Sequence, residues 1–263
     1  MTRAVLLGTL LFARAGLACS CVGFLTLLSP RHGSTGVPLN AQLRFVALKP
    51  VTFTLTDEGG VAVPAVLVHQ KGVSVIRPDN LLRPLTRYNL TLTATHGDTA
   101  GTTFTTGSAE DHTPPSLGGV PMVEHGADPM SSCGPSEVFV LTWPAQADDV
   151  TPPSQLVMEG VLAASNTVGS AEPDVASMEK LFVQSGFCGG TSNIVNMDTA
   201  FVRTRAVDWA GNASEFTPTL LLKGDAGAEP AERGGCGCTT AEGALVLAAL
   251  GLVLRKRSCA RSR

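Results

Sequence analysis

The chain has 263 residues, which at about 150 residues per domain allows one or two domains. Hydrophobic residues make up 44% and charged residues 16%, a balance that excludes both a disordered chain and a multi-span membrane protein. The 28 Gly and 17 Pro follow no collagen-like period, and a net charge of −3 gives nucleic-acid binding no global electrostatic support.

The N-terminus opens Met1-Thr2-Arg3, continues with an apolar run over residues 4–13 and reaches Ala15-Gly16-Leu17-Ala18. A basic start, a short apolar stretch and small residues before the cleavage point mark residues 1–18 as a secretory signal peptide. The competing reading is a buried N-terminal helix. Cleavage after Ala18 leaves Cys19 first, and Leu17-Ala18-Cys19 resembles a bacterial lipoprotein signal, although Gly16 stands where Leu is usual. Cys19 is therefore a second candidate for lipid attachment.

Residues 25–107 read as a β-sandwich. Thr52-Phe53-Thr54-Leu55-Thr56, Val73-Ser74-Val75 and Tyr88-Asn89-Leu90-Thr91-Leu92-Thr93 alternate with period two, and residues 101–106 close the segment. Val and Thr suit a half-buried pleated surface. Asp57-Glu58-Gly59-Gly60, Gln70-Lys71-Gly72, Pro78-Asp79-Asn80 and His96-Gly97-Asp98 punctuate the runs as turns. Leu82-Arg83-Pro84-Leu85-Thr86-Arg87-Tyr88 leads into an alternating strand. It resembles the tyrosine corner of Ig-like and fibronectin type III sandwiches, which implies a structural role for Leu82, Pro84 and Tyr88. With the start at residues 29–40 and the ending Thr103-Phe104-Thr105-Thr106-Gly107, the segment resembles the bacterial Ig-like domains called SbsA-type or Big_5. That resemblance implies a spacer or recognition module without chemistry of its own.

Residues 108–115 contain Asp111-His112-Thr113-Pro114-Pro115 and read as a Pro-rich linker. Residues 116–223 read as a second sandwich. Its core strands are Glu137-Val138-Phe139-Val140-Leu141-Thr142-Trp143-Pro144, residues 155–162 and residues 201–208. Trp209-Ala210-Gly211-Asn212 then turns, and residues 214–222 return as the second leg of a hairpin. The Leu-Thr-Trp-Pro and Ala-Val-Asp-Trp-Ala-Gly-Asn stretches resemble fibronectin type III-like domains of bacterial surface proteins. The Ser-, Asn- and Gly-rich stretch 163–199 departs from that pattern and leaves the strand order open.

Residues 224–235 form a polar stalk. Residues 236–263 carry Cys236-Gly237-Cys238, an apolar stretch at 241–254 interrupted only by Glu242, and then Arg255-Lys256-Arg257, Arg261 and Arg263. A 14-residue helix spans about 21 Å, short of a hydrocarbon core of about 30 Å. The basic end should stay cytoplasmic, leaving Cys236 and Cys238 outside. This layout resembles the MYXO-CTERM sorting tail of myxobacterial surface proteins. The resemblance implies cutting near the cysteines by a membrane sorting protease, with Cys236 or Cys238 as the processing and lipid-attachment site. An ordinary short tail anchor is the alternative, and either reading places the chain on a membrane through its C-terminal tail.

Of the seven cysteines, Cys133 and Cys188 stand alone in the second sandwich, in a compartment that a signal peptide makes oxidising. A disulfide between them would close a loop of about 55 residues and contribute about 2–4 kcal/mol; two buried thiols are the alternative. Zinc finds no second Cys pair at ligand spacing. Charge is uneven. Residues 25–107 carry seven Lys or Arg against four Asp or Glu, and residues 112–223 carry four against twelve. Calcium held by Asp148, Asp149, Asp174 or Asp208 is a candidate reading of that excess, although no Asp-x-Asp-x-Asp-Gly loop is present. The histidines His32, His69, His96, His112 and His125 are scattered, and no nucleophile elbow, phosphate loop or dinucleotide fingerprint occurs.

The expectation is thus an all-β chain of two tandem sandwiches between a signal peptide and a short hydrophobic tail helix. It needs no cofactor and sits in the outer envelope of a Gram-negative bacterium. There it would serve adhesion, binding of a protein or glycan ligand, or spacing. The alternatives are a secreted hydrolase with its site in the irregular 163–199 segment, to be tested at Asp174 or Glu179, and a calcium-stabilised spacer.

Overall fold

The computed structural model describes residues 25–222 except 48, 71, 96, 129–135, 144, 164–171, 179 and 185–199. All seven cysteines, the signal segment, the stalk and the tail lie outside the described residues, as does Glu179. The signal peptide, the Cys133–Cys188 disulfide, the lipid-attachment candidates Cys19, Cys236 and Cys238, and the tail helix 241–254 therefore concern residues outside the described ones. Among the described residues the architecture is all-β, with one short 3-10 turn at Pro153–Gln155. No helix among them is long and apolar enough to cross a membrane.

The first half supplies eight strands. They are β1 (Leu25–Ser29), β2 (Ser34–Val37), β3 (Leu43–Ala47), β4 (Val51–Asp57), β5 (Ala65–His69), β6 (Ser74–Pro78), β7 (Arg87–Ala94) and β8 (Thr99–Thr106). They form two four-stranded sheets, ordered β1-β3-β6-β5 and β2-β8-β7-β4. All neighbours are antiparallel except β2 and β8, which run parallel. The period-two alternation sets which side chains face inward. On β7, Tyr88, Leu90, Leu92 and Ala94 are buried, while Arg87 and Thr91 are exposed. Phe45 and Ile76 from the opposite sheet meet Leu55, Leu90, Leu92 and Phe104 in one core.

The turn after β4 shows how local chemistry ends a strand. Asp57 Oδ1 accepts the backbone N–H groups of Gly59 and Val61 at 3.0 and 2.9 Å, and Gly60 takes φ +78°. Only glycine adopts that φ without strain.

The second half supplies β9 (Ser116–Leu117), β10 (Met122–Asp128), β11 (Ser136–Thr142), β12 (Gln146–Ala147), β13 (Val157–Ala163), β14 (Val175–Ser177), β15 (Lys180–Gln184), β16 (Ala200–Val207) and β17 (Leu220–Leu222). A three-stranded sheet β10-β11-β15 and a four-stranded sheet β14-β13-β16-β17 enclose a core of Phe139, Leu141, Trp143, Met158, Val183 and Val202. A two-stranded ribbon joins β9 to β12. The irregular 163–199 stretch thus contributes two strands, β14 to one sheet and β15 to the other.

The return leg after the Trp209 turn is less regular than a simple hairpin. Val207 bridges Ala213, but Val202 pairs with Leu220, so seven positions on the return leg oppose five on β16. The two surplus residues bulge, and Pro218 has no N–H to give to a ladder. Only three residues of the leg therefore count as strand, Leu220–Leu222.

Candidate functional site at the junction of the sandwiches

The Pro-rich segment after β8 does not act as a free hinge. Asn40 holds Asp111 on both sides, its Nδ2 donating to the Asp111 carbonyl at 2.7 Å and its Oδ1 accepting the Asp111 N–H at 3.0 Å. Asn212, from the far end of the second half, donates to the same carbonyl at 3.2 Å. Residues from both sandwiches thus clamp Asp111, the two peptides that flank it being held by Asn40 and the second of them also by Asn212.

Beside this clamp lies the turn 208–212. Asp208 caps it, its Oδ1 accepting the N–H groups of Gly211 and Asn212 at 2.6 and 2.8 Å and its Oδ2 accepting Asn212 Nδ2 at 2.8 Å. Gly211 has φ +96°, and a Cβ there would run into the Gln42 side chain. The turn presses Trp209 against the other sandwich, where the indole, 1% exposed, belongs to the core of the first half. The Trp209 backbone carbonyl accepts the Gln42 N–H at 2.8 Å, and its backbone N–H donates to Thr151 Oγ1 at 3.0 Å.

A buried charge network continues the junction. Glu159 on β13 accepts Arg205 Nε and Nη2 at 2.9 and 2.8 Å through Oε2, and its Oε1 lies 3.9 Å from Arg44 Nε. Arg44 on β3 also donates to the Asp208 carbonyl at 3.2 Å and to Gln42 Oε1 at 3.1 Å. Burial lowers the Arg44 pKa, and the charges of Glu159 and Asp208 act against that shift. Arginine titrates so high that the guanidinium stays charged. Next to the network, Leu28, Val46 and Val73 of the first half pack on Val157, Ala176 and Met178 of the second. Gln155 Oε1 accepts from Arg31 N and Ser34 Oγ at 3.1 and 2.7 Å. Gly72 sits where a Cβ would collide with the backbone of Asp174. The described residues accordingly cluster as one compact unit.

The carboxylates of the junction titrate unusually. Burial pushes the Asp208 pKa up to about 6 against the pull of its hydrogen bonds from Asn212, and the Asp111 charge adds to the rise. Asp111 is also raised, first by burial, with the Thr113 N–H opposing and the charges of Asp148 and Asp149 adding.

The candidate calcium ligands do not act as one set. Asp148 and Asp149 lie together, joined by Asp111. Asp208 is committed to its turn. Asp174, buried, accepts the Leu162 N–H at 2.7 Å and so holds the end of β13. The histidines are also apart. His69 Nδ1 lies 3.1 Å from Ser74 Oγ, His125 stacks on Phe139 with centroids 4.8 Å apart, His32 lies beside Thr103, and His112 pairs with Glu110 at 3.3 Å.

Within the first sandwich, Tyr88 Oη accepts the Arg83 N–H at 2.8 Å, and the ring stacks on Phe104 with centroids 5.5 Å apart. Leu82 is buried, and Pro84 is exposed with its carbonyl accepting Thr86 Oγ1 at 2.9 Å. A cleft of about 240 Å³ opens beside it, lined by Asp57, Val61, Pro64, Asn80, Arg83 and Tyr88. That is below the roughly 300–1,000 Å³ of small-molecule sites.

No protein-family model matches the chain, and no curated protein matches it in sequence. Among solved structures, the tandem Ig repeats of Dlar are similar at 14% identity, covering 77% of this chain and 99% of that one with a TM-score of 0.26. The FN1–FN3 domains of chicken CNTN1 are similar at 12% identity over 75% of this chain and 63% of that one, TM-score 0.27. The N-terminal part of the bacterial S-layer protein SbsC is similar at 12% identity over 76% of this chain and 44% of that one, TM-score 0.24. Scores of this size do not establish a shared overall arrangement, so the all-β architecture stands on the strand pairing described above.

Proposed function

We propose that the chain is a non-catalytic envelope protein whose two sandwich modules, residues 25–107 and 116–223, work as one rigid unit for adhesion, binding or spacing. The observation that carries this reading is the junction. Two modules that share a buried ion-pair network and a core tryptophan hold a fixed mutual geometry. Such a unit presents loops and strand edges at a constant separation. The signal-like N-terminus and the Gly-Cys, apolar, basic C-terminus support display outside the cytosol.

In this reading a sorting protease cuts near Cys236 or Cys238, and one of these, or Cys19, carries lipid. Cys133 and Cys188 form a disulfide. A surface protein or glycan is the partner, read by exposed loops and by edge strands such as β10, where Met122 and Val123 are exposed. Intact-mass measurement on membrane-extracted protein tests the reading. The expected mass shows loss of residues 1–18, a processed C-terminus with an acyl increment, and two fewer hydrogens for the disulfide. Protease added to intact cells should remove the protein. A full-length, unprocessed chain in the cytosol, or turnover of peptide, ester or glycan substrates by the purified protein, would overturn it.

A further inference from the structure

Three carboxylates gather where the connecting segment meets the second sandwich. One ligand oxygen from each of Asp111, Asp148 and Asp149 lies within 4.8 Å of the other two. Two of the three are held by backbone N–H groups. Asp111 Oδ1 accepts the Thr113 N–H at 2.9 Å, and Asp148 Oδ2 accepts Thr151 and Val150 N–H at 2.6 and 3.2 Å. These bonds leave one oxygen over on each residue. Asp111 is 3% exposed, and its Oδ2 is shut off from solvent with no hydrogen-bond partner. Asp148 Oδ1 is buried and equally without a partner. A buried carboxylate oxygen without a donor costs free energy, and two of them beside a third negative charge repel as well.

We propose that Asp111, Asp148 and Asp149 bind one calcium ion, which fastens the connecting segment to the second sandwich. The chemistry is that of a hard cation, since all three ligands are carboxylate oxygens and neither sulfur nor imidazole is in the group. Calcium suits such a site better than magnesium, because it takes irregular shells of about six to eight oxygens, whereas magnesium demands near-ideal octahedral geometry and keeps most of its waters. Asp149 is exposed and gives the ion its way in, and waters complete a shell of roughly six to eight oxygens. The lone oxygens of Asp111 and Asp148 gain a partner. The site joins a residue of the connecting segment to two residues of the loop after β12, and it exists independently of where the chain is displayed.

The test uses the full purified chain stripped with EDTA. Titrating calcium chloride should bind one ion per chain by calorimetry and raise the melting temperature by about 5 °C or more at 100 times the dissociation constant. Magnesium at the same concentration should do markedly less. Asp111→Asn should abolish the rise. Asp149→Asn, at an exposed position where folding is not at stake, should weaken calcium binding at least about tenfold. Asp98→Asn, on an exposed turn of the first sandwich, should leave it unchanged. A melting temperature and binding heat unmoved by 10 mM calcium, a calcium response kept in both Asp111→Asn and Asp149→Asn, or an equal response to magnesium would overturn the proposal. None of these outcomes depends on export or anchoring.

Discussion

The two sandwiches are held together by different means. In the first, the central strand β7 pairs with both neighbours through seven residues each and Tyr88 bonds back across its corner, while β3 meets β6 through three residues and β2 meets β8 through two. In the second, β13 and β16 pair through seven residues, β14 and β17 each pair through only three, and the leg after Trp209 slips by two positions. The second half also supplies Trp209 and Glu159 to its neighbour. The first sandwich closes its corner with its own tyrosine, and the second places its tryptophan in the core of the first.

Four measurements can break or sharpen that comparison. Trp209→Ala removes an indole packed in the first core and should cost about 4 kcal/mol by urea unfolding. Both halves should still unfold in one transition; loss of the second half alone would show that the junction does not couple them. Glu159→Ala leaves Arg44 buried without its carboxylate and should cost about 3–4 kcal/mol, measured the same way.

The third measurement is pH. The folded-state pKa of Asp208 is raised to about 6, so the folded protein binds this proton more tightly than the unfolded chain does. Stability from this group is therefore present in acid and is lost as pH rises from about 4 to 6, by at most about 3 kcal/mol. In the presence of chelator, melting temperature should fall over that range, and Asp208→Asn should flatten the slope. The smallest expected effect belongs to the first sandwich: Tyr88→Phe loses the bond to Arg83 N–H and should cost about 1 kcal/mol in urea, with no change in the number of transitions.

The first sandwich was far more legible in the amino-acid order than the junction. Thr52 to Thr56 and Tyr88 to Thr93 alternate because one face of each strand is buried, and that periodicity is written locally. The partners of Arg44 across the junction are 115 and 164 residues away, at Glu159 and Asp208, and no local pattern announces them. Trp209 reads as part of a Gly-Asn turn because its neighbours have turn chemistry; its burial comes from another module. Asp111 reads as a linker residue because Pro114 and Pro115 follow it. Its gathering with Asp148 depends on the β9–β12 ribbon, which brings Ser116 opposite Ala147. The strands β14 and β15 were hidden by a Ser- and Gly-rich context in which short ladders carry little periodic signal.

The chain has only two tryptophans, and they fall in different cores, Trp143 in the second and Trp209 in the first. Nature has thus placed one intrinsic fluorophore in each hydrophobic interior. Replacing Trp209 with Phe leaves emission from the second core, and replacing Trp143 leaves emission from the junction where Trp209 enters the first core, so stopped-flow traces from the two variants can time the folding of the second sandwich and the docking of the two without any added dye.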